Sequence, residues 1–468
     1  MLKTKLKTGL LFLSGFFIVA MGCRKKEAPL PDNLVQFESG SQGLPADVAE
    51  MTVKLKLIRA TDRDIPVVVS VTPEGAEYNT HFTTTPAATS GKISLTIMSG
   101  SSEATFKLAK VANTLFSGEE KVEFKIESSG APVIIGTPDI LTIQFAEIIS
   151  TGATMQGDGG GATYGNKVFF DLSANSQTSV QRTKWDLGFF CGDDWRVILN
   201  SSTTMMVRKI DKSDLNQVTE SDTVDKSHDL IFNPFEEPTT STLPFIDYPD
   251  GDLSKTAIAE ISANDADNKV YIVNRGMGVG NSAPERGWKK IRIIRNGISG
   301  YKLQHADISA TSFSTIDVPK NSDYFFNYAS FENGLLTVEP PKNKWDIAWT
   351  YFMNTFDFGG MEIPFTYQDF ILQNRNVTTA KVLTSTKSYE DFGEADIASL
   401  TFSEDQRGIG ADWRSGGGPG VDPFVRSDLY YIVKDSEGNY YKLRFTAFTK
   451  NGERGFPAFE YALVKSGK

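Results

Sequence analysis

Cysteine and histidine are scarce: two cysteines and three histidines in 468 residues. One cysteine, Cys23, follows an apolar leader, so Cys191 has no partner within the chain and no disulfide framework exists. His81, His228 and His305 never stand four residues apart, which excludes a zinc-protease helix. The sequence contains no Gly-x-Ser-x-Gly elbow and nominates no carboxylate pair, so the expectation is a protein that is not an enzyme. Positive charge is also lacking. The formal net charge is −10, and about −13 without the three leader lysines, which argues against a nucleic-acid partner. Few windows carry a helical period, and the longest apolar run, Gly9 to Met21, falls short of the ~20 residues that span a bilayer.

Residues 1–22 read as an export signal. Lys3, Lys5 and Lys7 precede the apolar run, and Ala20-Met21-Gly22 before Cys23 form a lipobox-like site for acylation. Two or three acyl chains on Cys23 suffice for stable anchoring, which predicts a lipid-anchored protein of the outer membrane, periplasmic or surface-facing. Residues 23–33 form a polar, proline-bearing tether.

Residues 34–149 show short β runs separated by turns. Val53-Lys54-Leu55-Lys56-Leu57 and Val122-Glu123-Phe124-Lys125-Ile126 alternate with period two, and Val67 to Val71 is a fuller apolar run. About seven strands in this span predict a β-sandwich. Gly75-Ala76-Glu77-Tyr78-Asn79 and Phe116 to Phe124 resemble a Calx-β or related immunoglobulin-like module. That family often binds calcium through clustered acids; here acids are sparse, and Glu119 and Glu120 read as solvated turn residues in a spacer.

Residues 150–163 carry Gly157, Gly159, Gly160 and Gly161 and read as a flexible linker. Beyond them one unit recurs. Lys184-Trp185-Asp186-Leu187 returns as Lys344-Trp345-Asp346-Ile347, 160 positions on. Val168 to Asp171 is set against Tyr324 to Asn327, Val197 to Asn200 against Phe370 to Asn374, and Tyr271 against Tyr431. Lys290 to Ile293 answers to Lys442 to Phe445, and Tyr301 to Tyr461. Ordered matches of this kind predict two copies of a β-rich unit with a minor helix, at 164–312 and 313–468. The fold class is therefore mostly β: a sandwich followed by two duplicated domains.

Within the copies, Trp185 and Trp345 read as core residues, and Asp186 and Asp346 as acceptors that pin the next turn. Arg275-Gly276-Met277-Gly278-Val279-Gly280 is followed by a strand rather than a helix, so it reads as a hairpin loop and not a phosphate cradle. Asp247 to Asp252 reads as a surface loop, and Cys191 as a small buried hydrophobe.

Asn343-Lys344-Trp345-Asp346-Ile347-Ala348, the Gly-rich loop Arg414 to Gly420, the hairpin Tyr430 to Phe448 and the closing Asn451 to Tyr461 resemble the HmuY-type haem-binding lipoproteins of Bacteroidetes. The first copy is the weaker likeness. The resemblance implies a β-rich fold, outer-membrane anchoring and capture of haem (heme) or a related tetrapyrrole for delivery to a TonB-dependent receptor. It also implies axial His or Met ligands, one from the loop before the last hairpin. Here that loop reads Ser415-Gly416-Gly417-Gly418, and the second copy has no histidine. The available ligands are Met353 and Met361 (or a tyrosine such as Tyr351) in the second copy, and Met205, Met206, His228 and Met277 in the first. Phe189, Phe190, Trp349, Phe352, Phe356 and Phe358 are candidates to line an apolar pocket. The rival readings are a surface glycan- or protein-binding module, in which exposed aromatics meet a partner without iron, and an acid/base hydrolase.

Overall fold

The computed structural model describes residues 31–44, 48–112, 114, 116, 120–145, 150–223, 230–232, 242–280, 283–417 and 420–467. The export signal, Cys23, Glu119 and His228 lie outside the described residues. Contacts divide the chain into an N-terminal unit, mainly residues up to 142, and a larger unit from 143 onward.

The N-terminal unit is a sandwich. One sheet orders Phe82–Thr85, Glu103–Lys110, Glu50–Leu57, Leu34–Phe37 and Ile134–Ile135; the other includes Ile140–Gln144, Lys121–Ser129, Ile65–Glu74 and Lys92–Ile97. The period-two segments alternate as expected: Val122, Phe124 and Ile126 are buried while Glu123 and Lys125 face outward.

The larger unit stacks four antiparallel sheets and carries a two-stranded ribbon, Arg414–Ser415 with Phe424–Val425. Sheet I runs Gly152–Gln156, Glu453–Lys465, Tyr440–Lys450, Leu429–Lys434, Thr378–Leu383; sheet II runs Ser176–Gln181, Asn166–Asp171, Ile347–Phe358, Met361–Gln373. Sheet III runs Val197–Leu199, Leu187–Phe190, Phe326–Ser330, Gly334–Leu336; sheet IV runs Met206–Lys209, Tyr271–Asn274, Trp288–Asn296, Gly300–Asp307, Ser314–Pro319. Phe170, Trp349, Tyr441 and Phe459 fill the space between I and II, and Phe189, Val273 and Tyr301 that between III and IV. Phe169, Trp185, Tyr328 and Trp345 join II to III. The helical elements among the described residues are short 3-10 turns, so the expected minor helix is only that.

The two Trp-Asp motifs lead into corresponding strands of sheets III and II, but the pairing of those strands crosses over. Asn166–Asp171 pairs with Ile347–Phe358 (Val168 opposite Trp349), and Phe326–Ser330 pairs with Leu187–Phe190 (Ala329 opposite Leu187). Each copy thus lends its opening hairpin to the other. Residues 187–336 build sheets III and IV without interruption, while I and II join 152–181 to 347–465. A division at 312/313 would separate Gly300–Asp307 from its ladder partner Ser314–Pro319. Repetition tells the order of the strands in a unit but not which of two like edges each hairpin chooses, the ambiguity behind domain swapping.

Hydrogen bonds also correct two of the pairings. Asp346 N donates to Phe170 O at 2.7 Å and Asp186 N to Ala329 O at 2.9 Å. The counterpart of Val168–Asp171 is therefore Asn327–Ser330, three residues later than expected. Similarly, Leu443 faces Tyr461 as Ile291 faces His305, so Tyr461 corresponds in the ladder to His305, not Tyr301.

The glycine-rich stretch 150–163 is not a loose linker. Gly152–Gln156 is the edge strand of sheet I, and Met155 enters the core. Gly159 N donates to Gly455 O at 2.9 Å, and a Cβ on Gly159 would lie 2.1 Å from the Trp349 ring. Glycine is required there for close approach.

Candidate functional site

A cleft of about 470 Å³ opens where loops of both copies meet. Its walls are the 3-10 turn Gly161–Thr163 with Tyr164, the turn Ser201–Thr203, Arg182, Phe232, Tyr351, Gln368 and the loop after Tyr271–Asn274. The loop is clamped by its backbone: Met277 N donates to Thr203 O at 2.8 Å, and Gly278 N to Pro284 O at 2.8 Å. Gly276 sits at φ +69°, and a Cβ there would fall 1.8 Å from Thr203 O, so a side chain would push the loop off its seat. Met277 is thereby held in the cleft wall, 40% exposed.

Arg182 sets the electrostatics. Its guanidinium donates to Tyr164 O at 2.7 Å, to Ser202 O and to Gly278 O at 3.3 Å, and it lies 4.8 Å from the Tyr351 ring centroid. It is 5% exposed, and none of the carboxylates among the described residues forms an ion pair with it. Desolvation pushes it down to about 10. Tyr164 stacks on Trp349, and desolvation, then the Asp369 carboxylate, pushes its phenol up to about 12. A buried cation of this kind is costly unless a ligand supplies the opposite charge.

The six candidate ligands separate. Met277 alone lines this cleft. Met205 is packed between sheets III and IV. Met206 and Met353 are brought together in a buried cluster on the outer face of sheet IV, next to Phe232. Met361 sits half-buried at the tip of the Ile347–Phe358/Met361–Gln373 hairpin, and His228 lies outside the described residues. The aromatics scatter likewise: Phe189, Trp349 and Phe352 belong to three different cores, Phe190 packs against the II/III core, and Phe356 and Phe358 are exposed. Arg182 and Tyr164 carry no sequence signal beyond preceding the first Trp-Asp motif and opening the first copy. The glycines around Met277 were the one mark of this loop.

Both Trp-Asp pairs are structural, as expected. Asp186 Oδ2 accepts from Phe331 N at 2.9 Å and Asp346 Oδ2 from Leu172 N at 2.8 Å, so each pins the borrowed hairpin. Asp247 departs from the surface-loop reading. It is half-buried, accepts from Leu199 N at 2.6 Å and Ala257 N at 2.9 Å, and desolvation pushes it up to about 6. Cys191 is half-buried and unbridged.

The family model described as HmuY protein matches residues 163–461 in one span that takes in both copies. The chain belongs to the HmuY family. Among solved structures it is similar to an HmuY-like heme-binding protein from Bacteroides vulgatus, at 10% identity over 68% of this chain and 93% of that one, TM-score 0.18. It is also similar to the apo-form Calx CBD1 domain, at 17% identity over 25% of this chain and 96% of that one, TM-score 0.22. A two-domain protein of unknown function from Bacteroides fragilis matches at 13% identity over 40% of this chain and 74% of that one, TM-score 0.18. No curated protein matches the chain.

Proposed function

We propose that this HmuY-family chain binds haem or a related tetrapyrrole in the cleft between Arg182, Met277 and Tyr351. The observation that carries the reading is the buried guanidinium of Arg182, without a carboxylate partner, inside an aromatic cleft that also presents a thioether. A tetrapyrrole is flat, apolar and edged with carboxylates, and its iron takes a soft axial ligand. Arg182 would meet a propionate, Tyr351 would form a wall, and Met277 would supply sulfur to the metal. When bound, the haem supplies the iron chemistry; the protein supplies orientation and exclusion of water. The reading extends to an exported lipoprotein acylated at Cys23, held at the outer membrane and passing its ligand to a TonB-dependent receptor. The lipobox-like leader and the HmuY membership support that part.

A glycan- or protein-binding role is the second reading, favoured by Phe356 and Phe358, 46% and 48% exposed on a protruding hairpin. An absorbance titration with haemin decides between them. Saturable one-to-one binding with a sharp Soret band, altered in Met277→Ala, is expected. A featureless, non-saturating rise would move the function to the hairpin.

A further inference from the structure

The chain enters the N-terminal sandwich at one end, and four pieces build that end. Residues 31–33 lead into Leu34–Phe37, and 58–64 join Glu50–Leu57 to Ile65–Glu74. Residues 98–102 join Lys92–Ile97 to Glu103–Lys110, and 130–133 join Lys121–Ser129 to Ile134–Ile135. Hydrogen bonds fasten the entering chain to its neighbours. Asn33 Nδ2 donates to Arg59 O at 2.8 Å, and Asn33 Oδ1 accepts from Arg59 N at 3.0 Å. Ile58 N donates to Leu34 O at 3.2 Å and Ile134 N to Asn33 O at 3.1 Å. The loop 98–102 is held the same way: Gly100 N donates to Thr61 O and Ser99 N to Asp64 Oδ1, both at 2.8 Å.

We propose that this end of the sandwich rests on a lipid bilayer, with Ile58, Met98 and Ile134 entering the boundary between headgroups and acyl chains. The three side chains are 59%, 58% and 48% exposed. Exposed aliphatics scattered singly are ordinary, but a collection of them marks a contact surface. Here they gather around the entry point. Among the described residues of this unit, the other exposed large aliphatics are Ile135, next to Ile134, and Val48, at the opposite end before Glu50–Leu57. The other loops of that opposite end, 75–81 and 86–91, expose none.

The position of the anchor selects the occupant, so the inference rests on the acylation of Cys23. Pro31 follows Cys23 by eight positions, a reach of at most about 29 Å for fully extended chain. A bilayer that holds the lipid is therefore within range of this end. The short tether raises the local concentration of bilayer, so a few partly inserted aliphatics suffice where they would not hold a free protein. The contact is apolar in kind. Three acids (Asp32, Asp62, Asp64) and two bases (Arg59, Arg63) give this end no excess of positive charge, so a zwitterionic lipid is its partner.

The test is amide hydrogen exchange on the acylated chain in phosphatidylcholine vesicles, compared with the same protein lacking residues 1–23 in solution. The intact mass of the vesicle-bound protein reports acylation separately. Exchange in segments 58–62 and 98–101 should slow roughly tenfold on vesicles, with loops 75–81 and 86–91 unchanged. Ile58→Asp combined with Met98→Asp should abolish the slowing while the acylated protein still floats with the vesicles. Acylated protein with no slowing at either end, or slowing that survives the double substitution, would overturn the proposal and leave the anchoring reading standing. A mass without acyl chains would overturn both. Slowing in the soluble form that grows with protein concentration would assign the surface to a second copy of the chain and overturn the bilayer as its partner.

Discussion

Asp186 and Asp346 occupy the same place in the two copies and solve the problem of burial in opposite ways. Each accepts a backbone N–H from the borrowed hairpin, and beside each an asparagine, Asn200 or Asn374, donates to two carbonyls at 2.8 Å. Around Asp186 stand two guanidiniums: Arg275 donates to both of its oxygens at 2.9 and 3.1 Å, and Arg286 to Oδ1 at 2.8 Å. At Asp346 no arginine among the described residues takes this part. Burial first, then the neighbouring Asp171 carboxyl, holds its acid well above the usual carboxylate range. The repeated function is the hydrogen bond, and the charge is handled locally. The arginines also explain the loop that the first copy brings to the cleft. They brace the two arms of the loop 275–287 that presents Met277, whereas the corresponding connection in the second copy is the tight turn 435–439.

The largest effect should come from Asp186→Asn. It leaves Arg275 and Arg286 buried with only Glu332 nearby, and breaking a buried pair costs about 3–5 kcal/mol. Urea denaturation should show that loss; a cost under 1 kcal/mol would mean the network is ornamental. Next is Gly159→Ala, where the new methyl meets Trp349 and Gly455 O and overpacking costs about 1–3 kcal/mol. A flexible linker would tolerate it without change in the unfolding midpoint.

Asn200→Ala and Asn374→Ala sharpen the symmetry. Each removes two hydrogen bonds and strands one carbonyl, since Arg286 still reaches Trp185 O and Asn376 still reaches Lys342 O; each should cost about 1–3 kcal/mol, and the two values should agree within about 0.5 kcal/mol. A large inequality would show that the copies are not equivalent at this turn.

The smallest effect belongs to Asp346→Asn, within about 1 kcal/mol near pH 5, because the amide oxygen still accepts from Leu172 N. Its pH dependence is more telling. Asp346 has a folded pKa raised above the unfolded value near 3.8, so its stabilisation is full below that pH and is lost as pH rises towards the folded value. The variant should therefore gain on the parent between pH 5 and pH 8 in paired urea melts. Parallel curves would place a cation beside Asp346.

Much of this architecture was readable in the sequence. Period-two alternation marked the sandwich strands, and the Trp-Asp echo marked the repeat, because both depend on short-range order. The crossover of the hairpins was not readable, since Val168–Asp171 presents the same ladder edge to either Trp-Asp strand. The Gly159 stretch misled for a related reason: glycine serves loose chain and close packing alike, and only the position of Trp349 decides. The site was half visible. Gly276 and Gly278 flagged the Met277 loop, but Arg182 declares itself only when its surroundings are seen to hold no acid. Met206 and Met353, distant in sequence, met in a core instead of at a ligand.

The most direct test of the central claim is the location of iron by anomalous scattering in crystals of the chain grown with haemin. The account predicts one iron peak in the cleft, within bonding reach of the Met277 sulfur and with density for a carboxylate beside Arg182. Iron at the Phe356/Phe358 hairpin, or no ordered iron, would contradict it.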